Sequence, residues 1–326
     1  MEPCASELAA GIRSGMTDRE QLLDELRPVS FAIAYRMLGS VSEAEDVVQE
    51  ALLRVYQALQ ADEEIASPRA FIATVTTRLA INELRSARAR RESYVGEWLP
   101  EPIITDGDDD PALHAETADS LSLAMLVLLE SLSPEQRAVL LLRDVFDYGY
   151  PEIAAIVGKS QDNVRQLATR ARRHVEQRRP RFPTTREQRD VLARRFFAAV
   201  EHGDLAGLEA LLAHDVEMTA DGGGKVPALA RSQRGRSRVA GILINGLRQF
   251  ARLPGASLRP VEVNGGPGGL FLDAQERLIG VFALDIAGGQ ITGVRAIFNP
   301  DKLTHLGPVT DFESLLRSVR SQGRTH

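Results

Sequence analysis

Residues 151–175, PEIAAIVGKSQDNVRQLATRARRHV, carry the pattern that decides how the middle of this chain folds. Pro151 to Val157 has the apolar spacing of a short helix, and Gly158-Lys159-Ser160 supplies a tight turn. Residues 160–178 then place Val164, Leu167, Ala168, Ala171 and Val175 on one inward stripe. Asn163, Arg165, Gln166, Thr169, Arg170 and Arg173 are left facing outward. Two helices joined this way make a helix-turn-helix, whose second helix can enter the major groove of DNA. Asn and Gln can pair with adenine edges there, and Arg with guanine or phosphate. A solvated basic helix in an all-α core has the same pattern.

Upstream, Ser133-Pro134-Glu135-Gln136 reads as a capped helix start, and a further helix is expected over 119–132. Residues 96–118 break the helical pattern with Gly96, Pro100, Pro102, Gly107 and Pro111. This linker is acidic: segment 100–119 has Glu101, Asp106, Asp108, Asp109, Asp110, Glu116 and Asp119 and no base. Residues 19–95 read as helices. Val47, Val48, Ala51, Leu52, Val55 and Leu59 form one stripe over 43–59, with Ser42 as its cap. Ser67-Pro68 starts a second long helix that runs into Arg78, Arg85, Arg88, Arg90 and Arg91. That basic helix suits phosphates and a melted strand, through Asn82, Arg85 and Arg88, or is a charged surface face. Residues 1–18 are small and polar and are expected to be disordered.

Downstream of Pro180 and Pro183 the style changes. Helices are expected at 186–201, 205–213 and 236–250. Short strands, separated by glycines, are expected at 215–220, 257–263, 269–273, 277–286 and 290–298. This combination indicates an α+β domain.

The bulk numbers agree with such an organisation. The 326 residues suffice for two or three compact units. The net charge of −6 argues against a nucleic-acid partner only as an average, because two basic helical segments flank the acidic linker. Cys4 is the single cysteine, so no intramolecular disulfide forms, and the six histidines show no ligand spacing, so no metal or cofactor is expected. No apolar run is long enough to span a membrane, and the start lacks the form of a secretion signal. A cytoplasmic protein is expected.

SEAEDVVQEALLRVYQAL (42–59) resembles the polymerase-binding helix of sigma-70-type factors, especially the extracytoplasmic-function group. SPRAFIATVTTRLAINELRSARAR (67–90) resembles that group's promoter-melting helix, and residues 132–175 its fourth region, which binds the −35 element. The resemblance implies that Asp46, Gln49 and Glu50 grip core RNA polymerase, since an acidic helix face complements a basic coiled coil. It implies that Asn82, Arg85 and Arg88 face the −10 element of promoter DNA. Asn163, Arg165, Gln166, Thr169 and Arg170 would read the −35 element. Leu167 stands where many relatives carry a base, which implies a different −35 preference.

WLPEP (98–102), DGGGK (221–225) and NPDKL (299–303) resemble three motifs of one sigma subgroup, which fuses the sigma core to a SnoaL-like, NTF2-fold domain. The implied fold is multidomain: two all-α sigma domains, the second with the helix-turn-helix, then an α+β cone. The implied boundaries are 19–95, a linker over 96–118, 119–180, 184–300 and a tail over 301–326. The implied control is in cis, without a separate anti-sigma factor. Trp98, Pro100, Asp221, Gly223, Lys225, Asn299, Asp301 and Lys302 are the expected regulatory contacts, reaching from the extra domain to the sigma core. SnoaL-like domains include enzymes and pocketed cones, so a small ligand is conceivable. His214 and Asp221 are the only acid–base pair to consider, but His214 is expected to be a helix cap and Asp221 belongs to the glycine motif. No catalysis is expected.

Overall fold

The computed structural model describes the backbone of residues 5–61, 64–105, 118–177 and 184–311, and the side chains of these except 5–18, 88–90, 118 and 119. The chain divides into two compact units, one of Met1–Arg88 with Leu132–His174, the other of Ala89–Ser131 with Val175–His326.

The first unit is all helical. Helix α1 spans Ala5–Leu38. It begins inside the segment expected to be disordered, where Ala5, Glu7, Leu8, Ala9 and Ala10 are strong helix formers. Helix α2 spans Val41–Gln60; its cap is Ser40, whose hydroxyl accepts from Glu43 N at 3.2 Å, rather than Ser42. Helix α3 spans Pro68–Glu92 and starts as its Ser67-Pro68 pair predicts, with Ala70 N donating to Ser67 Oγ.

The segment expected as one helix over 119–132 is two short ones, α4 (Ala118–Leu121) and α5 (Leu123–Leu129), because Ser122 turns extended and caps the second. Helix α6 (Pro134–Asp144) opens with the expected capping box between Ser133 and Gln136. Helices α7 (Tyr150–Val157) and α8 (Gln161–Glu176) follow. Between them Gly158 sits at φ 65°, the left-handed conformation that ends a helix and that glycine adopts without strain.

In the second unit, helices α9 (Arg186–Glu201), α10 (Leu205–Leu211) and α11 (Arg236–Phe250) pack on a sheet. Its strands are β1 (Leu212–Asp221), β2 (Gln233–Arg234), β3 (Ser257–Val263), β4 (Gly266–Leu272), β5 (Leu278–Ala287) and β6 (Gln290–Ile297). The order is β2-β1-β6-β5-β4-β3, and β1 with β6 is the parallel pair. This is the helix-and-sheet arrangement implied by the SnoaL-like resemblance. The core between helices and sheet is rich in phenylalanine: Phe282 lies 6.0 Å from Phe196, 5.6 Å from Phe197 and 5.3 Å from Phe271, ring centre to ring centre.

Two boundaries differ from expectation. The described part of the linker groups with the C-terminal unit and lies on its sheet: Ile104 bridges Val263, and Thr105 N donates to Glu262 O at 2.9 Å. The tail's first part, through residue 311, is packed as well. Leu278 N donates to Pro308 O and Thr310 N to Leu278 O, both at 2.8 Å. The rest of the expected tail lies outside the described residues.

Asp273 anchors that tail by accepting from Thr310 Oγ1 at 2.7 Å and from Arg277 Nε at 2.8 Å. Burial pushes its carboxyl up, but the bonds from Thr310, Arg277 and Gln275 outweigh it and hold the pKa down to about 2. A depressed carboxyl stabilises the fold above its unfolded pKa, and that contribution is lost as pH falls through the folded one. Asp273→Asn is therefore expected to lower the midpoint of urea denaturation at pH 7, with the gap to the parent closing between pH 4 and 2. A gap independent of pH would refute this.

Candidate functional site

The outward face of α8 is as the sequence predicts. Asn163, Arg165, Gln166, Thr169, Arg170 and Arg173 are exposed, while Val164, Ala168, Ala171 and Val175 are buried and Leu167 is half-buried. Thr169 donates its hydroxyl to Arg165 O at 2.9 Å, and Arg165 pairs with Asp162 at 3.1 Å, both within the helix. These side chains stay available to a ligand.

Helix α3 is more committed. Arg78 donates to the carbonyls of Ile156 and Ala155 at 2.9 Å each, capping the C-terminal end of α7, where the helix dipole favours a cation. Arg85 pairs with Glu135 at 2.6 Å. Burial raises the Glu135 carboxyl, but the bonds to Arg85 and to its own backbone more than reverse that. Asn82 is exposed beside Arg85, and the side chain of Arg88 lies outside the described residues.

On α2, Asp46 and Gln49 are exposed, and the half-buried Glu50 pairs with Arg54 at 2.9 Å. Leu53 (49% exposed) and Tyr56 (41%) continue the same face. The sequence reading missed them; their signal is two large apolar residues falling outside the buried stripe.

The three short motifs, far apart in sequence, meet at one buried ion pair. Lys302 Nζ lies 2.6 Å from Asp221 Oδ2, with Asp221 fully buried and Lys302 nearly so. The linker supplies most of the remaining partners. Leu99 N donates to Asp221 Oδ2 at 2.9 Å, the Tyr94 hydroxyl donates to Asp221 Oδ1 at 2.5 Å, and Lys302 also donates to Leu99 O. Asn299 Nδ2 donates to the Tyr94 oxygen at 2.9 Å, and Gly223 N to Asp221 Oδ1 at 3.0 Å. Burial, then the Asp221 carboxylate, raises the Tyr94 hydroxyl pKa. Burial pushes the Lys302 ammonium down while Asp221 pulls it up, and burial wins.

The indole of Trp98 receives two cations, Arg91 at 3.7 Å and Lys302 at 4.3 Å from its centre. Pro100 is buried, and Lys225 pairs with Asp301 at the rim. Gly223 has φ 60°, and a Cβ there would sit 2.3 Å from Asn299 Nδ2, so the loop needs glycine twice over. All eight expected regulatory residues belong to this cluster or border it. WLPEP is seated on the DGGGK loop and the NPDKL turn of its own unit, because the buried Asp221 takes up the backbone donor of Leu99.

The cluster has no catalytic form, since Asp221 is already bonded to Lys302, Tyr94, Leu99 and Gly223. His214 is an exposed residue within β1, not a helix cap, and is not brought to Asp221. Among the described residues no group of His, Cys, Asp and Glu could hold a metal, and no helix is long and apolar enough to cross a membrane. An open cleft of about 500 Å³ lies between α9 and the β3–β4 hairpin, where Arg186 pairs with Glu262.

Comparison with known proteins gives two family matches, sigma-70 region 2 at residues 22–90 and sigma-70 region 4 at residues 122–175. The chain is 36% identical over 289 residues to the ECF RNA polymerase sigma factor SigJ of Mycobacterium tuberculosis, covering 86% of this chain and 92% of the relative. It is 34% identical over 281 residues to the probable ECF RNA polymerase sigma factor SigI of the same species, covering 84% and 91%. The crystal structure of M. tuberculosis SigJ superposes with a TM-score of 0.70 at 33% identity, over 90% of this chain and 100% of that one.

Proposed function

The chain belongs to the sigma-70 family, in its extracytoplasmic-function group, and on that premise we propose a promoter-recruitment factor that carries its own regulator. It binds core RNA polymerase through the α2 face of Asp46, Gln49, Glu50, Leu53 and Tyr56. It reads the −35 element with Asn163, Arg165, Gln166, Thr169 and Arg170, and the −10 element with Asn82, Arg85 and Arg88. It acts in the cytoplasm. The C-terminal unit regulates it in cis in place of a separate anti-sigma factor. The observation that carries the regulatory reading is the Asp221–Lys302 pair, which fastens the linker between the two sigma regions to the C-terminal domain.

Run-off transcription with core polymerase tests the reading. The full chain is expected to initiate from its promoter, and Asp46→Ala to weaken core binding about tenfold, or about 1.4 kcal/mol. No initiation from any promoter, together with unchanged core binding by Asp46→Ala, would sink it. Tight binding to −35 duplex without polymerase, and no effect on initiation, would instead indicate an ordinary helix-turn-helix regulator.

A further inference from the structure

From Gly222 to Val261 the chain holds Lys225, Arg231, Arg234, Arg236, Arg238, Arg248, Arg252 and Arg259 and not one acid, within a protein whose net charge is −6. Helix α11 lies in the middle of this run. Val239, Ala240, Leu243 and Ile244 turn one side of it into the core. The opposite side carries Arg238, Asn245, Arg248 and Gln249, with Arg252 just past the helix end, and all five are exposed.

Arg234 is paired with Glu217 at 3.1 Å and Arg259 with Glu276 at 3.5 Å, so part of the basic run is neutralised at the sheet. Among the described residues no ion pair holds Arg238, Arg248 or Arg252. The helix also contains Gly241 and Gly246, where an added Cβ would meet nothing within 4 Å. Glycine weakens a helix relative to alanine. No neighbour requires it at either position.

We infer that the outer face of α11 is a third DNA-contacting surface of this chain, one that binds the phosphate backbone of duplex DNA. At 1.5 Å per residue, Arg238 and Arg252 stand about 21 Å apart, a length over which duplex DNA presents about twelve phosphate charges. Arginine forks and amide side chains are groups that contact phosphate without reading sequence. The face therefore adds affinity and salt dependence, not base preference. The choice of duplex DNA as partner rests on the sigma reading; the surface itself does not.

The test measures binding of the full chain, loaded on core polymerase, to a promoter fragment with flanking duplex, by fluorescence anisotropy across a salt series. The triple variant Arg238→Gln, Arg248→Gln, Arg252→Gln is expected to bind about tenfold more weakly near 0.1 M salt. Its slope of log affinity against log salt should become shallower by about one for each phosphate that is no longer neutralised. The corresponding triple lysine variant should restore both, since a point charge suffices for phosphate. Run-off from the same fragment by the parent chain reports on the sigma reading separately. An unchanged slope in the glutamine variant, with parental thermal stability, overturns the inference. So does intact DNA binding combined with loss of binding to phosphatidylglycerol vesicles, which would make the face a membrane contact.

Discussion

Asp221→Ala is expected to destabilise the C-terminal unit by about 3–5 kcal/mol, because it leaves the Lys302 ammonium buried without its counter-charge. Lys302 is only 6% exposed, and its other close acceptor is the Leu99 carbonyl. The same change removes the acceptor for Leu99 N, Tyr94 and Gly223 N, so the linker loses its seat together with the pair. Trp98 is the only tryptophan and stacks beside Lys302. Its fluorescence in a urea titration reports this site alone. The midpoint should drop, and the linker should release before the all-helical unit unfolds. Replacing both charges, as Asp221→Leu with Lys302→Met, should recover the part of the loss that comes from the unpaired charge, but not the part from the donors of Leu99, Tyr94 and Gly223 left without an acceptor. An Asp221→Ala midpoint equal to the parent's would show that the pair does not hold the linker. Transcription separates stability from regulation: the double variant should stay folded but, lacking the polar tie to Leu99 and Tyr94, give altered run-off output.

Phe282→Ala should cost a comparable amount, about 3–5 kcal/mol, for a different reason. Phe282 is 3% exposed, lies on β5, and touches three other rings. Aromatic contacts of this kind add to the area they bury. Removing the ring leaves an apolar void at the centre of the helix–sheet core, where the rings of Phe196, Phe197 and Phe271 have no smaller packing available. Such voids stay dry and accept small apolar molecules. Added benzene should then raise the melting temperature of the variant and leave the parent unmoved. A loss below about 1 kcal/mol would mean that the neighbouring rings collapse into the gap.

Most helices could be read directly from residue spacing. The stretches 186–201 and 236–250 show apolar residues at helical intervals, and their ends match the structure. The exposed face of α8 was legible for the same reason, since its buried stripe has one solution. Features set by distant partners were not. Strand β2 is two polar residues, Gln233 and Arg234, and exists only because β1 lies beside it. The bridge at Ile104 exists because Asn264, at φ 52°, turns its backbone to meet Ile103. The three motifs could be recognised one at a time, but not their meeting at Asp221, because nothing local couples residue 99 to residue 302. The basic run on α11 disappears in a net charge averaged over the chain.

The seat of the linker also has an order in time. Leu99 and Lys302 are 203 residues apart. At 5–20 residues per second, the ribosome needs about 10 to 40 s to make the second after the first. Strand β6, which pairs with β1 and leads into the NPDKL turn, is likewise made late. The helical sigma regions are therefore synthesised before the Asp221–Lys302 pair can form. A new copy of this protein therefore passes through an interval in which its linker is free, and any restraint the domain imposes begins only after translation has passed residue 302.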